Sequence, residues 1–237
     1  MGTDKQGMPH SGLMRDLVPA FTTAEIFVYY EQGYRKYPMY IPGDHSMKSM
    51  RGTKTEKNLL AAFAGESQAR NRYSYFASAA KKEGFEQIAS IFLETADNEQ
   101  QHAKRFFRFL EGGDVEIVAA YPAGTIGTTK DNLKASADGE LYEHSKLYQE
   151  FATVAKEEGF PEVAAAFRSV SVAEKQHEAR YRKLHQSVEQ GTFFKKEKVV
   201  RWKCRNCGYI HEGKTPPAKC PACDHPEAFF ELVDENY

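Results

Sequence analysis

The sequence predicts a mainly α-helical fold: a four-helix bundle followed by a small C-terminal domain built around four cysteines. Two long segments combine a helical spacing of apolar residues with an almost complete lack of proline. The second of these segments repeats part of the first. All four cysteines lie in two Cys-x-x-Cys pairs near the C-terminus. With 237 residues, the chain is long enough for one domain with a full core and one small module.

Composition argues against several classes of function. The 32 basic and 33 acidic residues nearly cancel, which does not favour nucleic acid as a partner. No apolar run approaches the roughly 18 residues that a membrane span needs, and the N-terminus lacks a signal-peptide pattern. We therefore expect a cytoplasmic protein without a nucleic-acid or membrane partner. In a cytoplasmic chain, paired cysteines indicate metal binding before disulfides.

Residues 1–46 differ in character from the rest, being rich in Met, Tyr and Pro. Thr22 and Glu25 have the spacing of a capping box, which predicts a helix near 23–35. We predict no chemistry for this N-terminal extension.

The first helical hairpin is predicted from apolar positions such as Leu59 and Phe63, which recur at intervals of three, four and seven. Gly84 interrupts this pattern and divides it into helices at about 55–82 and 86–111. A pair of glycines then ends the hairpin.

The second hairpin follows a glycine-rich connection at 112–130. Its helices are predicted at about 131–157 and 161–190, and Pro161 is well placed as a first helical residue. The sequence at 82–89 recurs at 157–164, an offset of 75 residues. Each hairpin alone would expose an apolar face, so we expect the two to pack as a ferritin-like four-helix bundle.

Candidate metal ligands occur at equivalent positions of the two hairpins. Residues three apart lie on one face of a helix, so a Glu-x-x-His pair can direct two ligand atoms at one point. A single Glu or His on a helix is usually solvated, but recurrence on the helices that the repeat makes equivalent favours a shared site. The candidates are Glu66, Glu99 and His102 in the first hairpin, and Glu140, Glu174 and His177 in the second.

Glu143 breaks the symmetry of this set, because its counterpart in the first hairpin is near Ala69. Five ionised carboxylates in a dry core would cost several kcal/mol each in desolvation, so the pattern predicts two divalent cations among them. Mixed carboxylate and imidazole ligands suit iron or manganese, and iron is preferred if the site is redox-active.

Tyr73 and Tyr148 lie about two turns beyond Glu66 and Glu140 on the same helix faces. Each phenol either hydrogen-bonds a ligand carboxylate or is an ordinary core residue, and we predict the former. Acids and histidines off these faces are predicted to be solvated, namely Glu94, Asp97, Glu157, Glu158, Glu178, His10, His45, His144 and His185.

The C-terminal domain is predicted at 201–237, after a linker at 191–200. Its cysteines form two knuckles that can place four thiolates tetrahedrally, with zinc and a single iron both acceptable. Aromatic residues would shield the sulfurs from water. The four ligands are Cys204, Cys207, Cys220 and Cys223, and the aromatic residues are Trp202, Tyr209, Phe229 and Phe230.

Residues 47–237 resemble the rubrerythrin family along nearly their whole length. The resemblance is carried by Ala-Gly-Glu-Ser-Gln-Ala-Arg-Asn-Arg-Tyr at 64–73 and Cys-Arg-Asn-Cys-Gly-Tyr-Ile-His-Glu-Gly at 204–213. It implies a non-haem diiron bundle at 47–190 and a rubredoxin-like domain, and it favours iron at the four cysteines. Residues 1–46 depart from the family pattern.

The resemblance also implies site roles. Glu66, Glu99, Glu140, Glu143, Glu174 and His177 match the family's diiron ligands. Glu99 and Glu174 would bridge the oxo- or carboxylate-bridged irons, and His102 would replace Glu143 on reduction. Proton delivery by Glu143, Tyr73 and Tyr148 is our hypothesis.

The activity implied is reduction of hydrogen peroxide in oxidative-stress defence. Electrons would come from NADH through a separate reductase or a rubredoxin, and the family suggests a homodimer or higher homo-oligomer. Two other functions stay open: a ferroxidase or iron-storage protein with a structural zinc knuckle, and an electron carrier without a substrate.

Overall fold

The computed structural model describes residues 48–234. The helix predicted near 23–35, with its capping box, therefore lies outside the described residues. Among the described helices, none is both long enough and apolar enough to cross a membrane.

Within the described residues, the bundle contains α1 (Lys54–Lys82), α2 (Glu86–Phe107), α3 (Thr129–Tyr142), α4 (Tyr148–Glu157) and α5 (Pro161–Glu189). A π-helical turn, Glu143–Leu147, joins α3 to α4, so these two form one interrupted helix. Helix α1 packs on α2, and α3 and α4 pack on α5. The predicted four-helix bundle is confirmed.

Both hairpins turn in the same way. Gly84 and Gly159 each adopt a φ of +84°, a left-handed conformation that favours glycine. The Phe85 N–H donates to the Ala80 carbonyl at 2.9 Å, and the Phe160 N–H donates to the Ala155 carbonyl at 2.8 Å. These bonds complete the same helix-ending motif twice, which supports the internal repeat.

One helix boundary was predicted wrongly. Helix α2 ends at Phe107 and not near 111, because the chain tightens into successive turns there. The freed Glu111 side chain accepts hydrogen bonds from the Met50 N–H and the Ser49 hydroxyl, each at 2.7 Å. It thereby ties the segment before α1 to the end of the hairpin.

The C-terminal domain is a three-stranded antiparallel sheet of β1 (Val200–Cys204), β2 (Ile210–Gly213) and β3 (Phe230–Leu232) in the order β2-β1-β3. The preceding linker is not free of contacts. Phe85, at the turn between α1 and α2, contacts the rings of Phe193 and Phe194 at centroid distances of 5.4 and 5.9 Å. The domain therefore lies against the start of α2, which contacts β3 and the short helix before it.

Candidate metal centre

Six of the seven predicted bundle ligands meet in the interior. They form two groups in which ligand atoms from all four members lie within 4.8 Å of one another. The two groups are Glu66, Glu99, His102 and Glu174, and Glu99, Glu140, Glu174 and His177. Glu99 and Glu174 belong to both groups, which is the arrangement expected for two ions that share two carboxylates.

Each shared carboxylate directs its two oxygens to opposite sides. Glu99 Oε2 lies 2.9 Å from His102 Nδ1, and Glu99 Oε1 lies 3.2 Å from His177 Nδ1. Glu174 does the same, with Oε1 2.9 Å from His102 Nδ1 and Oε2 2.8 Å from His177 Nδ1. The two histidines therefore mark two separate positions on either side of the shared carboxylates.

The donor atoms fit bound cations. The four carboxylates are at most 1% exposed. Several of their oxygens make no hydrogen bond although they are buried, which is costly for a site built only of protein. These atoms are Glu66 Oε2, Glu99 Oε1, Glu140 Oε2 and both Glu174 oxygens, together with His177 Nδ1. Hard oxygen and imidazole donors of this kind suit iron.

Burial and crowding shift the protonation of the side chains. Burial and the charge of Glu99 raise the pKa of Glu140 to about 8. Burial favours a raised pKa for Glu99 as well, but the hydrogen bond with His102 and the adjacent His177 imidazole lower it to about 2. Burial disfavours charged imidazoles, yet the adjacent carboxylates raise the pKa of His102 to about 10 and that of His177 to about 12. In the metal-free protein, protons held by Glu140, His102 and His177 therefore offset negative charge that bound cations would otherwise offset.

The metal-free protein should lose stability as the pH rises. Glu140 holds a proton up to about pH 8 when folded but only to its ordinary value of 4.5 when unfolded, so its contribution declines between these values. His102 adds a decline between pH 6.5 and about 10. The contribution of Glu99 to stability is lost in the opposite direction, as the pH falls from its ordinary pKa of 4.5 to its folded-state pKa of about 2.

We expect the melting temperature of metal-free protein to be highest near pH 4.5 and to fall as the pH rises above that value. Metal binding displaces protons, so the stabilisation by iron should grow with pH. Thermal unfolding of the two forms from pH 5 to 9 measures both trends. A metal-free melting temperature that rises across this range would contradict the proton-filled site.

Tyr73 and Tyr148 each donate a hydrogen bond to a carboxylate of the opposite hairpin. The Tyr73 hydroxyl on α1 donates to Glu140 Oε1 on α3 at 2.5 Å, and the Tyr148 hydroxyl on α4 donates to Glu66 Oε1 on α1. Both phenols are at most 3% exposed. Each tyrosine therefore supports the acid of the opposite hairpin, a pairing that confirms the predicted hydrogen bonds to ligand carboxylates.

Glu143 is the predicted ligand that lies outside both groups. It is the first residue of the π-helical turn and is half-buried. Burial and the charge of Glu140 raise its pKa well above the usual range. It lines a cavity of about 310 Å³ that also reaches Tyr148 and Arg72. Its carboxylate therefore borders both the two groups of candidate metal ligands and the cavity.

Three residues that were predicted to be solvated make specific contacts instead, namely Glu158, His144 and Glu178. Glu158 accepts hydrogen bonds from the backbone N–H groups of Lys54 and Thr55 at 3.2 and 2.8 Å. His144 Nε2 lies 2.8 Å from Glu178 Oε2, and their side chains are only 13% and 18% exposed. The prediction was wrong because the π-helical turn rotates His144 toward α5. Glu94 is solvated as predicted, with 61% of its side chain exposed. Sequence analysis also missed Asn98, whose Oδ1 lies 3.3 Å from His177 Nε2 and orients that ring.

The four cysteines form a separate site. The Cys204 and Cys223 sulfurs are 3.7 Å apart, and those of Cys207 and Cys220 are 3.6 Å apart. Four sulfurs about 2.3 Å from a central ion would be separated by roughly 3.8 Å, so the spacing fits a tetrahedral ion and not disulfides. The backbone N–H of His225 lowers the pKa of Cys223 to about 6, which favours its thiolate form.

The predicted aromatic shell is present around these sulfurs, with Trp202 and Phe230 at its buried centre. It covers the sulfurs unevenly. Cys204 and Cys220 are fully buried, whereas Cys207 is exposed. One edge of the site therefore faces solvent.

Comparison with known proteins agrees with both sites. The family model for rubrerythrin matches residues 57–185, and the model for the rubrerythrin rubredoxin-like domain matches residues 202–231. Rubrerythrin of Nitratidesulfovibrio vulgaris is 56% identical over 191 residues, covering 81% of this chain and all of that protein.

Solved structures extend the comparison to the fold. The fully reduced, all-ferrous state of nigerythrin is 32% identical, with a TM-score of 0.52, and the match covers 80% of this chain and 91% of that one. A Desulfovibrio desulfuricans bacterioferritin with a diiron site is 23% identical, with a TM-score of 0.50, covering 58% and 81% of the two chains. The last likeness shows the ferritin-like fold alone.

Proposed function

The chain belongs to the rubrerythrin family, and we propose that it is a non-haem diiron peroxidase that reduces hydrogen peroxide to water. The observation that carries the proposal is the pair of four-residue groups that share Glu99 and Glu174. The reaction consumes one peroxide, two electrons and two protons and yields two waters. Iron bound at the two positions would supply one electron each.

We assign the ligands of these irons by group. Glu66 and His102 would hold one iron, Glu140 and His177 would hold the other, and Glu99 and Glu174 would be shared between them. The 2.8–3.2 Å approaches between the bridging oxygens and the two imidazoles support this assignment. Glu143 would serve as the exchangeable ligand and would take the place of His102 at oxidised iron.

Peroxide approaches through the cavity beside Glu143. Small residues such as Ala62, Gly65 and Gly139 line it, together with the buried Tyr148. The connection between the hairpins forms its outer wall, where the Tyr121 hydroxyl donates to the Ala61 carbonyl at 2.8 Å. The cavity suits a small oxidant.

Protons reach the oxidant from groups next to the ligands. Tyr73 and Tyr148 each hold a hydrogen bond to a ligand carboxylate, and burial raises the pKa of both phenols well above the usual range. They therefore keep their protons at neutral pH and act as donors. Glu143, also with a raised pKa, is the third proton carrier.

Iron bound to the four cysteines would return electrons to the bundle. The exposed Cys207 offers an entry point for a reductase or rubredoxin fed by NADH. The domain lies against the start of α2, and Glu99 is 14 residues beyond Phe85, or about 21 Å along the helix. We propose donation to the bundle of a neighbouring subunit in a homodimer, as the resemblance to the rubrerythrin family implies.

The same reasoning gives a domain division. We propose a bundle at 47–190, a linker at 191–200, a rubredoxin-like domain at 201–237 and an extension at 1–46. The matched regions 57–185 and 202–231 fall inside these limits. A cytoplasmic location also stays a prediction.

Anaerobic stopped-flow mixing tests the function. Fully reduced protein is mixed with hydrogen peroxide and separately with oxygen, and metal is measured per chain. We expect three irons per chain and faster oxidation by peroxide than by oxygen. Slow oxidation by peroxide in protein that holds all three irons would refute the peroxidase.

A ferroxidase or iron-storage protein predicts a different outcome of the same assay. It would oxidise many added ferrous ions per chain and retain them as mineral, with zinc at the four cysteines. An electron carrier would hold three irons and react slowly with both oxidants. The absorbance of the iron-thiolate site separates iron from zinc directly.

Replacing Tyr148 by phenylalanine should slow peroxide reduction about tenfold, because a proton donor beside the site is lost. It also leaves a buried Glu66 oxygen without its donor, which should destabilise the metal-free protein by about 1–3 kcal/mol. Stopped-flow rates and urea unfolding measure the two effects. Tyr75→Phe is the control, since the Tyr75 side chain is exposed on the same bundle. An unchanged rate in Tyr148→Phe would remove Tyr148 from proton delivery.

A further inference from the structure

The π-helical turn that carries Glu143 changes the hydrogen bonding of the next residue, His144. In an α-helix the Tyr148 N–H would donate to the His144 carbonyl, four residues before it. Here the Tyr148 N–H donates to the Glu143 carbonyl, five residues before it. The His144 carbonyl loses its α-helical donor, so the turn depends on other groups to satisfy it.

Those groups come from two side chains. The Ser171 hydroxyl on α5 donates to the His144 carbonyl at 3.0 Å, and Gln149 Nε2 donates to the same carbonyl at 3.1 Å. Gln149 Nε2 also lies 2.9 Å from Ser171 Oγ, which closes a triangle of hydrogen bonds. Serine in the middle of a helix usually bonds back to its own helix, as Ser169 does with Ala165. Ser171 instead reaches across to the turn.

A second contact holds the same residue by its side chain. His144 Nε2 lies 2.8 Å from Glu178 Oε2, and the other oxygen of Glu178 accepts from Arg182 Nε at 3.0 Å. Glu178 is two turns beyond Ser171 on α5. His144 is therefore held through both its backbone carbonyl and its imidazole.

The first hairpin provides an internal control. At the repeat offset of 75, Gln149, Ser171 and Glu178 correspond to Ser74, Ala96 and Ala103. Alanine has no side-chain donor or acceptor, so Ala96 and Ala103 cannot make the contacts that Ser171 and Glu178 make. Helix α1 runs without interruption through the equivalent region, and the Ser74 hydroxyl donates to a carbonyl of its own helix at 3.0 Å. The contacts to His144 and the π-helical turn thus occur together in one half and are both missing from the other.

We propose that Gln149, Ser171 and Glu178 form a clamp that holds the π-helical turn and thereby positions the Glu143 carboxylate at the edge of the metal groups. They are positioning residues, since they act through His144. Glu143 is the first residue of the turn, so a shift of the turn back toward α-helical bonding would rotate its side chain. The link to ligand exchange rests on the proposed function, whereas the link to the turn does not.

Hydrogen–deuterium exchange of the metal-free protein tests whether the clamp holds the π-helical turn. In Ser171→Ala, amides at 143–149 should exchange about two- to tenfold faster, as expected from the loss of one hydrogen bond. Gln149→Glu should act in the same direction, because it replaces a donor by an acceptor at an exposed position. Ser169→Ala is the matched control on α5, and amides at 69–74 of α1 should not change in any variant.

Azide binding to the oxidised, iron-loaded protein tests whether the clamp positions the Glu143 carboxylate. A displaced Glu143 should change the azide affinity of the diiron site by a factor of about three to ten in the clamp variants. Absorbance of the four-cysteine site should stay constant and serves as the internal control. Neither readout uses peroxide turnover, so failure of the clamp is distinguishable from failure of the peroxidase assignment.

Unchanged exchange at 143–149 in both clamp variants would overturn the proposal. Faster exchange with unchanged azide affinity would overturn the positioning of Glu143. Changes in both readouts, with Ser169→Ala matching the unaltered protein, are the supporting result.

Discussion

Replacing Glu99 by glutamine is expected to remove both irons from the bundle while the four-cysteine iron remains. Glu99 is one of the two shared carboxylates, and its oxygens face His102 and His177 at 2.9 and 3.2 Å, so one substitution disturbs both positions. Losing even an outer partner of a metal ligand typically costs 10–100-fold in metal affinity, and loss of a shared ligand should cost more. We expect peroxide reduction to fall by more than about a hundredfold.

Metal analysis should show a change from three irons per chain toward one. Glu94→Gln is the control, because it makes the same chemical change on the same helix at a solvated ion pair with Arg180. That variant should keep three irons and its peroxide rate. A Glu99→Gln protein that still held three irons would exclude Glu99 as a bridging ligand and, with it, the assignment of the two groups.

The bundle and most of its site follow from the sequence because two independent periodicities agree. Helical spacing places Glu99 beside His102, and the internal repeat places Glu174 beside His177 on the equivalent helix. Few arrangements other than a shared interior site satisfy both constraints.

What the sequence did not predict depends on contacts between helices. Spacing gives the depth of Tyr73 along α1, but not that its hydroxyl crosses to Glu140 on α3. The π-helical turn does leave a signal in the sequence, namely a change in the repeat offset. Glu66 and Glu140 are offset by 74 residues, whereas Tyr73 and Tyr148 are offset by 75. One extra residue between two fixed positions of a helix is accommodated as a π-helical turn.

The change in repeat offset also explains why His144 was wrongly predicted to be solvated. On a regular helix His144 would face solvent, and Glu178 would be an ordinary surface acid. The extra residue turns His144 toward α5, where Glu178 and Ser171 hold it. Side chains that support a local irregularity have no spacing pattern of their own, so they become visible only once the irregularity is known.

Replacing Cys220 by serine should separate the two halves of the proposed catalytic cycle. Cys220 is fully buried, and its sulfur lies 3.6 Å from that of Cys207. The small sheet has few apolar residues to support it, and a structural metal in such a domain contributes roughly 10–16 kcal/mol of apparent binding free energy. We expect loss of the four-cysteine iron and unfolding of the domain, with the bundle still holding two irons.

Steady-state peroxide reduction with an electron donor should then fall by more than about a hundredfold, since oxidised bundle iron is no longer re-reduced through the domain. A single turnover of chemically reduced protein should proceed at nearly its usual rate, because peroxide meets only the bundle. Ala222→Ser, at an exposed position between Cys220 and Cys223, is the matched control and should change neither rate. If steady-state reduction survived in Cys220→Ser, electrons would have to enter the bundle directly, and the four-cysteine iron would have no part in the relay.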